Sequence, residues 1–382
     1  GWTLAFQMGV EFDRILDEFQ GPFVEVPELL EPPPGVVQDS GNVQGYLLSH
    51  EVNNAFTAVY RLLSQGVSVH WVEESFSAGG TDYPAGAFWI QGGGSLRETL
   101  EPLARELGLT FVGVSQAPGG SSLELEAPRI GLWDQYGGSM PSGWVRFILD
   151  EFGFDHELVF PPETDAGNLR DSYDVIIFPD GAIPSSSRGG SSRYGRGGTL
   201  DPETVPAQYR DRIGRVSVDQ TVPQLREFLE AGGTIVTLEG STSLAYHLGL
   251  PVRDFLVDAE GNPLRSEEFF IPGSLLEVQV EGPSPVTHGM GSTTIVNFAR
   301  SPVFGIENGA EGVRPLATYA SAAPLRSGWA WGQEHLEGGI AMLEASVGDG
   351  MLYLFGPQIT YRGQTHETYP FLFNAILLAG AR

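Results

Sequence analysis

The sequence predicts an α/β protein in two parts: a small βαβ-rich layer, then a doubly wound sheet of parallel strands whose chain closes through a hairpin. Three observations lead there. Apolar runs of strand length alternate with amphipathic stretches of helix length from Gly45 to Leu248. The 382 residues exceed what one hydrophobic core usually organises, which favours a split. A Gly-Ser-Pro-rich passage from Ala117 to Ala127 separates two alternating blocks and has the composition of a linker.

Taken in order, Trp2 to Phe19 reads as an amphipathic helix, and Pro32-Pro33-Pro34 then excludes helix and central strand, so residues 1–41 are a helix and a Pro-rich linker. Residues 42–126 form a small α/β domain. Its expected elements are strand Tyr46 to Leu48, helix Asn54 to Ser64, strands Val67 to Val72 and Ala87 to Ile90, helix Leu96 to Leu107 ended by Gly108, and strand Thr110 to Val114. Residues 127–382 form the second domain. Strand Arg129 to Trp133, helix Pro141 to Phe152, strand His156 to Phe160 and the apolar run ending Val175-Ile176-Ile177-Phe178 come first. Helix Val222 to Glu230, the break Gly232-Gly233, strand Thr234 to Leu238 and a helix through Ser243 to Leu248 follow. Ile340 to Ala345 and Met351 to Phe355 flank Val347-Gly348-Asp349-Gly350 as a hairpin, and His366 to Leu378 is a closing helix. Ser185 to Gly198 is a low-complexity loop at the carboxyl end of a parallel strand, where such sheets place their sites.

Composition narrows the function classes. The net charge is −27 and all 21 basic residues are Arg, so the surface repels phosphate backbones and anionic lipid headgroups; neither nucleic acid nor membrane is an expected partner. Zero cysteines exclude disulfides, thiolate metal sites and a cysteine nucleophile. Gly1-Trp2-Thr3-Leu4 is not a natural start, and the N-terminus is expected to lie upstream.

Trp2-Thr3-Leu4 with Gln7-Met8-Gly9-Val10, Gly143-Trp144-Val145-Arg146, Phe269 through Leu276 and Gly363-Gln364-Thr365-His366 together resemble the C-terminal portion of bacterial secreted zinc carboxypeptidases of the carboxypeptidase A-like family. In that family the peptidase domain comes first and a class I glutamine amidotransferase-like domain, flavodoxin-like in its winding, closes the chain. The resemblance implies a secreted or periplasmic bacterial protein and an upstream peptidase domain as partner, with zinc held there and no cofactor in this segment. Self-association stays open. The only His-x-x-Glu present, His70 to Glu73, lies on an expected strand, where residues three apart face opposite ways and share no metal.

An active domain of this fold needs a nucleophile on the sharp turn after a central strand and a His to activate it. That turn is Leu238-Glu239-Gly240-Ser241-Thr242-Ser243. Ser241 and Thr242 are the nearest substitutes for a cysteine, and Gln358 stands near the expected base. His247 is expected to face away from the turn, and His366 opens the closing helix. The alternative is that Ser241, Thr242 or Ser243 caps the following helix. Asp134-Gln135-Tyr136, ahead of Gly137-Gly138-Ser139, follow the first strand of the domain, and with Glu239 and Ser241 they are the ligand-binding candidates. Arg188, Arg193 and Arg196 are loop cations suited to an anionic group or to solvent, and Trp329, Trp331 and Tyr361 suit either sugar stacking or a core. The function expected is a non-catalytic accessory region. The alternatives are a peptide- or glycan-binding module and a serine hydrolase using Ser241.

Overall fold

A computed structural model describes residues 3–26, 30, 32–39, 41–78, 80–185, 201–282 and 284–381. The loop cations Arg188, Arg193 and Arg196 lie outside them. The chain divides into two compact units, Gly9–Leu125 and a larger one joining Gly1–Met8 to Glu126–Arg382.

The smaller unit carries a six-stranded sheet in the order 36–38, 110–114, 45–48, 88–91, 69–72, 122–125. The strand–helix–strand alternation is present; the outermost pair, Val36–Gln38 with Thr110–Val114, is parallel and the other pairs are antiparallel. The Gly-Ser-Pro-rich passage supplies the last strand, Ser122–Leu125. Helix Asn54–Ser64 is buried on most sides, with Ala55 to Tyr60 buried without a break and Leu62 and Leu63 after them. Helix Arg97–Leu107 ends where Gly108 takes φ 70, a conformation glycine adopts without steric cost.

In the larger unit, β1 (Ile130–Trp133), β2 (His156–Val159), β3 (Val175–Phe178), β4 (Thr234–Leu238) and β5 (Gly350–Phe355) are parallel and lie in the order 2-1-3-4-5. That is the flavodoxin-like doubly wound order. β3 and β4 are buried at every position; β3 is accordingly an unbroken apolar run, and β4 is apolar but for Thr234 and Thr237, the latter donating its hydroxyl to Tyr353 O at 2.9 Å. Helix Met140–Glu151 starts at Ser139, whose Oγ accepts from Ser142 N at 3.2 Å, with a Pro in its first turn. Helix Thr221–Glu230 buries Val222, Leu225, Phe228 and Leu229.

Beyond β5 the sheet continues antiparallel through Ile340–Val347, Val313–Thr318, Ser274–Val280 and Thr293–Phe298. Ile340–Val347 and β5 are the predicted hairpin; the other three strands have no counterpart among the predicted elements. Their sequences, Ser-Leu-Leu-Glu-Val-Gln-Val, Thr-Thr-Ile-Val-Asn-Phe and Val-Arg-Pro-Leu-Ala-Thr, mix polar residues and a Pro into the apolar ones and so lack the unbroken run that marks β3. The closing helix is Tyr369–Leu378 behind a 3-10 turn at His366–Thr368 and is buried on nearly all sides.

The helix predicted over Trp2 to Phe19 is limited to Leu4–Met8, which packs in the larger unit with Gln7 buried and Thr3 N donating to Ser327 Oγ at 3.2 Å. Gly9 at φ 67 ends it, and Val10 to Phe23 form no regular element; most of their apolar side chains are exposed, and Phe19 meets Phe23 edge-on at 5.4 Å.

Candidate functional site

A strained turn and several convergent polar groups gather at the carboxyl ends of β3 and β4. β4 ends at Leu238 in extended conformation, and Glu239 then turns at φ 50 into a 3-10 segment, Glu239–Ser243, leading to helix Leu244–His247. A positive φ on a non-glycine residue costs on the order of 1–2 kcal/mol and persists only where the surroundings enforce it. This is the strained strand-to-helix elbow that displays a nucleophile in hydrolases of α/β type. Here it displays a carboxylate.

The Glu239 carboxylate is nearly buried, and its Oε2 accepts a 2.6 Å hydrogen bond from Gln358 Nε2 beyond the end of β5. Gln358 is held in turn by its own N–H donating to Asn297 O at 2.9 Å. The N–H of Gly240, the residue after the elbow, donates to Asp180 Oδ1 at 3.0 Å. In an acyl-transfer site that N–H faces the developing oxyanion. A carboxylate sits there instead, so a tetrahedral oxyanion would meet a negative charge where it needs a donor.

Ser241 is not displayed. Its side chain is fully buried, its Oγ accepts from Ala182 N and Ile183 N at 3.1 Å each, and it donates to the Pro179 carbonyl. A hydroxyl has one donor and two acceptor positions, and all three are taken, by the loop after β3. The helix-cap alternative fails as well, because no side chain caps this segment: Thr242 Oγ1 donates to Glu239 O at 2.6 Å and Ser243 Oγ to Pro184 O at 3.0 Å. Ser241 and Ser243 tie the elbow to the loop after β3, and Thr242 braces the elbow from within. His247 Nε2 lies 2.8 Å from Pro184 O and donates to it. The His366 ring rests on Tyr369 at 4.7 Å and on Phe152 at 6.2 Å, and burial lowers its pKa.

The elbow opens into a cavity of about 560 Å³ whose wall includes Asp180, Glu239, Phe269, Phe270, Arg300 and Ser301. A second cavity of about 150 Å³ shares Gly240, Arg300 and Ser301 with it and adds Tyr246 and Asp254. The Tyr246 hydroxyl donates to Asp254 Oδ1 at 2.6 Å, and burial, reinforced by that carboxylate, pushes its pKa well above the ordinary phenol value. Arg300 is itself at φ 56, and its guanidinium carbon lies 5.1 Å from the Phe270 ring centroid. Two strained non-glycine residues therefore line one cavity, a pattern typical of functional sites. Among the described residues the cavity offers carboxylate acceptors, the Arg300 guanidinium as donor and an aromatic wall.

Asp134, Gln135 and Tyr136 lie elsewhere, outside the lining of either cavity. Asp134 Oδ1 accepts from Gln135 N at 2.8 Å, burial raises its pKa, and Gly137 and Gly138 at φ 86 and 74 complete a tight turn into the helix. The Tyr136 ring lies 6.2 Å from Tyr209. His70 Nε2 is bonded to Ser68 Oγ at 3.1 Å, and among the described residues no group of three or more His, Cys, Asp or Glu is placed to hold a metal ion. No described helix is long and apolar enough to cross a membrane. Tyr361 is buried against Trp144, whereas Trp329 and Trp331 are exposed.

Asp180 and Arg300 escape the sequence reading. Asp180 carries a usable signal, since it stands two residues past the apolar run of β3, at the sheet edge where doubly wound folds bind ligands. Arg300 carries none, because it arrives on the antiparallel extension.

No protein-family model and no curated protein matches the chain. Among solved structures it is similar to a β-galactosidase from Bacillus circulans sp. alkalophilus at 12% identity and TM-score 0.36, covering 65% of this chain and 31% of that one. It is similar to PurLQS from Thermotoga maritima at 15% identity and TM-score 0.37, covering 64% of this chain and 98% of that one. A ThuA-like protein from Bacteroides uniformis aligns at 11% identity and TM-score 0.35, covering 69% and 94%. The chain spans about a third of the β-galactosidase chains it matches, 31% and 32%. The fold assignment rests on the strand order given above.

Proposed function

We propose that this chain is a non-catalytic accessory region whose amidotransferase-like domain uses the elbow cleft to bind a polar ligand. The observation that carries this reading is the occupied elbow: Glu239 stands at the displayed position, Gln358 Nε2 fixes its carboxylate, and the Gly240 N–H is engaged by Asp180. A carboxylate thus stands where a thiol or hydroxyl would be displayed, an amide stands near the place of the base, and the donor for an oxyanion is already engaged. What remains is a concave pocket with a few convergent polar groups, the ordinary form of a ligand site.

The proposed setting is the C-terminal end of a secreted or periplasmic zinc carboxypeptidase-like protein, with the upstream peptidase domain as partner. Its support is the set of sequence stretches that resemble that family. The test is turnover by the purified chain: glutamine and p-nitrophenyl acetate are expected to be hydrolysed no faster than in buffer. Hydrolysis that Glu239→Gln or Ser241→Ala abolishes, with the fold intact, would overturn the reading.

A further inference from the structure

Next to the elbow cleft the larger unit presents two exposed indoles, Trp329 and Trp331, at 52% and 55% exposure. Exposed tryptophans are rare enough that a held pair asks for an explanation. These two are held. Gly328 and Gly332 bracket them at φ 107 and 70. A Cβ on Gly328 would come within 2.6 Å of Ser274 Oγ, and one on Gly332 within 2.0 Å of Glu268 O. Ser274 Oγ accepts from Trp329 N at 2.9 Å and donates to the Trp329 carbonyl. Trp331 exchanges backbone hydrogen bonds with Phe270 at 2.9 and 3.2 Å, and its indole Nε1 donates to Glu267 O at 2.8 Å. The backbone is therefore fixed before any ligand arrives, which lowers the ordering cost of binding.

The pair is continuous with the cleft. The Phe270 ring meets Trp329 edge-on at 6.1 Å and Arg300 at 5.1 Å, while Phe270 and Arg300 also line the cavity with Asp180 and Glu239. An aromatic rim leading into a pocket that, among the described residues, holds carboxylates and the Arg300 guanidinium matches a polyhydroxylated ring compound. Such a ring has an apolar C–H face to lay on an indole and hydroxyls that donate to carboxylates and accept from guanidinium. Asp180, Glu239 and Asp254, on a chain of net charge −27, repel uronic acids and other anionic sugars.

We infer that the cleft and the Trp329–Trp331 rim bind a neutral oligosaccharide, an assignment that rests on reading the cleft as a binding site. The experiment is isothermal titration together with tryptophan fluorescence, using cellohexaose, xylohexaose and chitohexaose, with tetra-galacturonate as the anionic control and tetra-alanine as the peptide control. At least one neutral hexasaccharide is expected to bind and to perturb the indole emission, and galacturonate is not. Changing Trp329→Ala or Trp331→Ala should weaken binding by about tenfold or more, as loss of a stacked tryptophan generally does. Arg300→Gln should weaken it with both indoles intact. An unchanged melting temperature will show that the exposed-site variants fold. No binding by any neutral hexasaccharide, or binding indifferent to both Trp changes, overturns the inference. Binding of tetra-alanine that Glu239→Gln removes and Trp329→Ala leaves unchanged overturns the sugar assignment while retaining the binding reading. Turnover that depends on Glu239 would instead overturn the binding reading itself.

Discussion

Ser241→Ala separates a structural hydroxyl from a catalytic one. The Ser241 side chain is fully buried and its Oγ makes three hydrogen bonds to the loop that follows β3. Ala182 N keeps a partner after the change, since it also donates to Pro179 O at 3.2 Å. Ile183 N loses the acceptor it has in Ser241, and a buried N–H left unpaired costs about 1–3 kcal/mol. Losing the bond to Pro179 adds about 1 kcal/mol, so the expected destabilisation is roughly 2–4 kcal/mol. For a unit of this size that corresponds to a fall in melting temperature of roughly 5–15 °C by differential scanning calorimetry. The same sample should show no change in a hydrolysis rate that is already at the buffer level. A variant of unaltered stability would refute the reasoning, because it would mean that the loop does not depend on Oγ.

Two further outcomes concern Glu367 and Gly332. Burial pushes Glu367 up to about 7, against the lowering effect of the Ile295 N–H and the Thr294 hydroxyl. A carboxyl raised in the folded state contributes stability that is fully present below its unfolded value and is lost as pH rises through the folded one, so the loss falls between 4.5 and about 7. Glu367→Gln should therefore flatten this part of the stability–pH profile and gain roughly 1–3 kcal/mol above the window; parallel profiles for the two proteins would exclude this account. At Gly332, φ 70 and a Cβ 2.0 Å from Glu268 O mean that Gly332→Ala must displace the tryptophan segment. The expected cost is about 1–3 kcal/mol with a changed near-ultraviolet dichroism signal from the indoles, and an unaltered spectrum would show that the segment is not pinned there.

Much of the fold was legible because its physical cause is local. β3 is buried on both faces and is apolar at every position, β4 is buried likewise with Thr234 and Thr237 among its apolar residues, and glycines such as Gly108 and Gly232 mark helix ends through backbone conformations that other residues avoid. The loss of cysteine chemistry was likewise fixed by composition alone. The site was legible only as a place. The turn after Thr234–Leu238 was found, and Glu239 stood among its candidates, but hydroxyl chemistry pointed to Ser241 and the glycine turn pointed to Asp134 and Tyr136. Which residue stands at the elbow is decided by a backbone dihedral at Glu239 that no composition or period encodes. That the carboxylate is held by Gln358, 119 residues away, and that Asp180 takes the Gly240 N–H, 60 residues away, follow from strands brought side by side in the sheet. Hydrogen bonds of that span depend on register between strands, and only the folded sheet sets it.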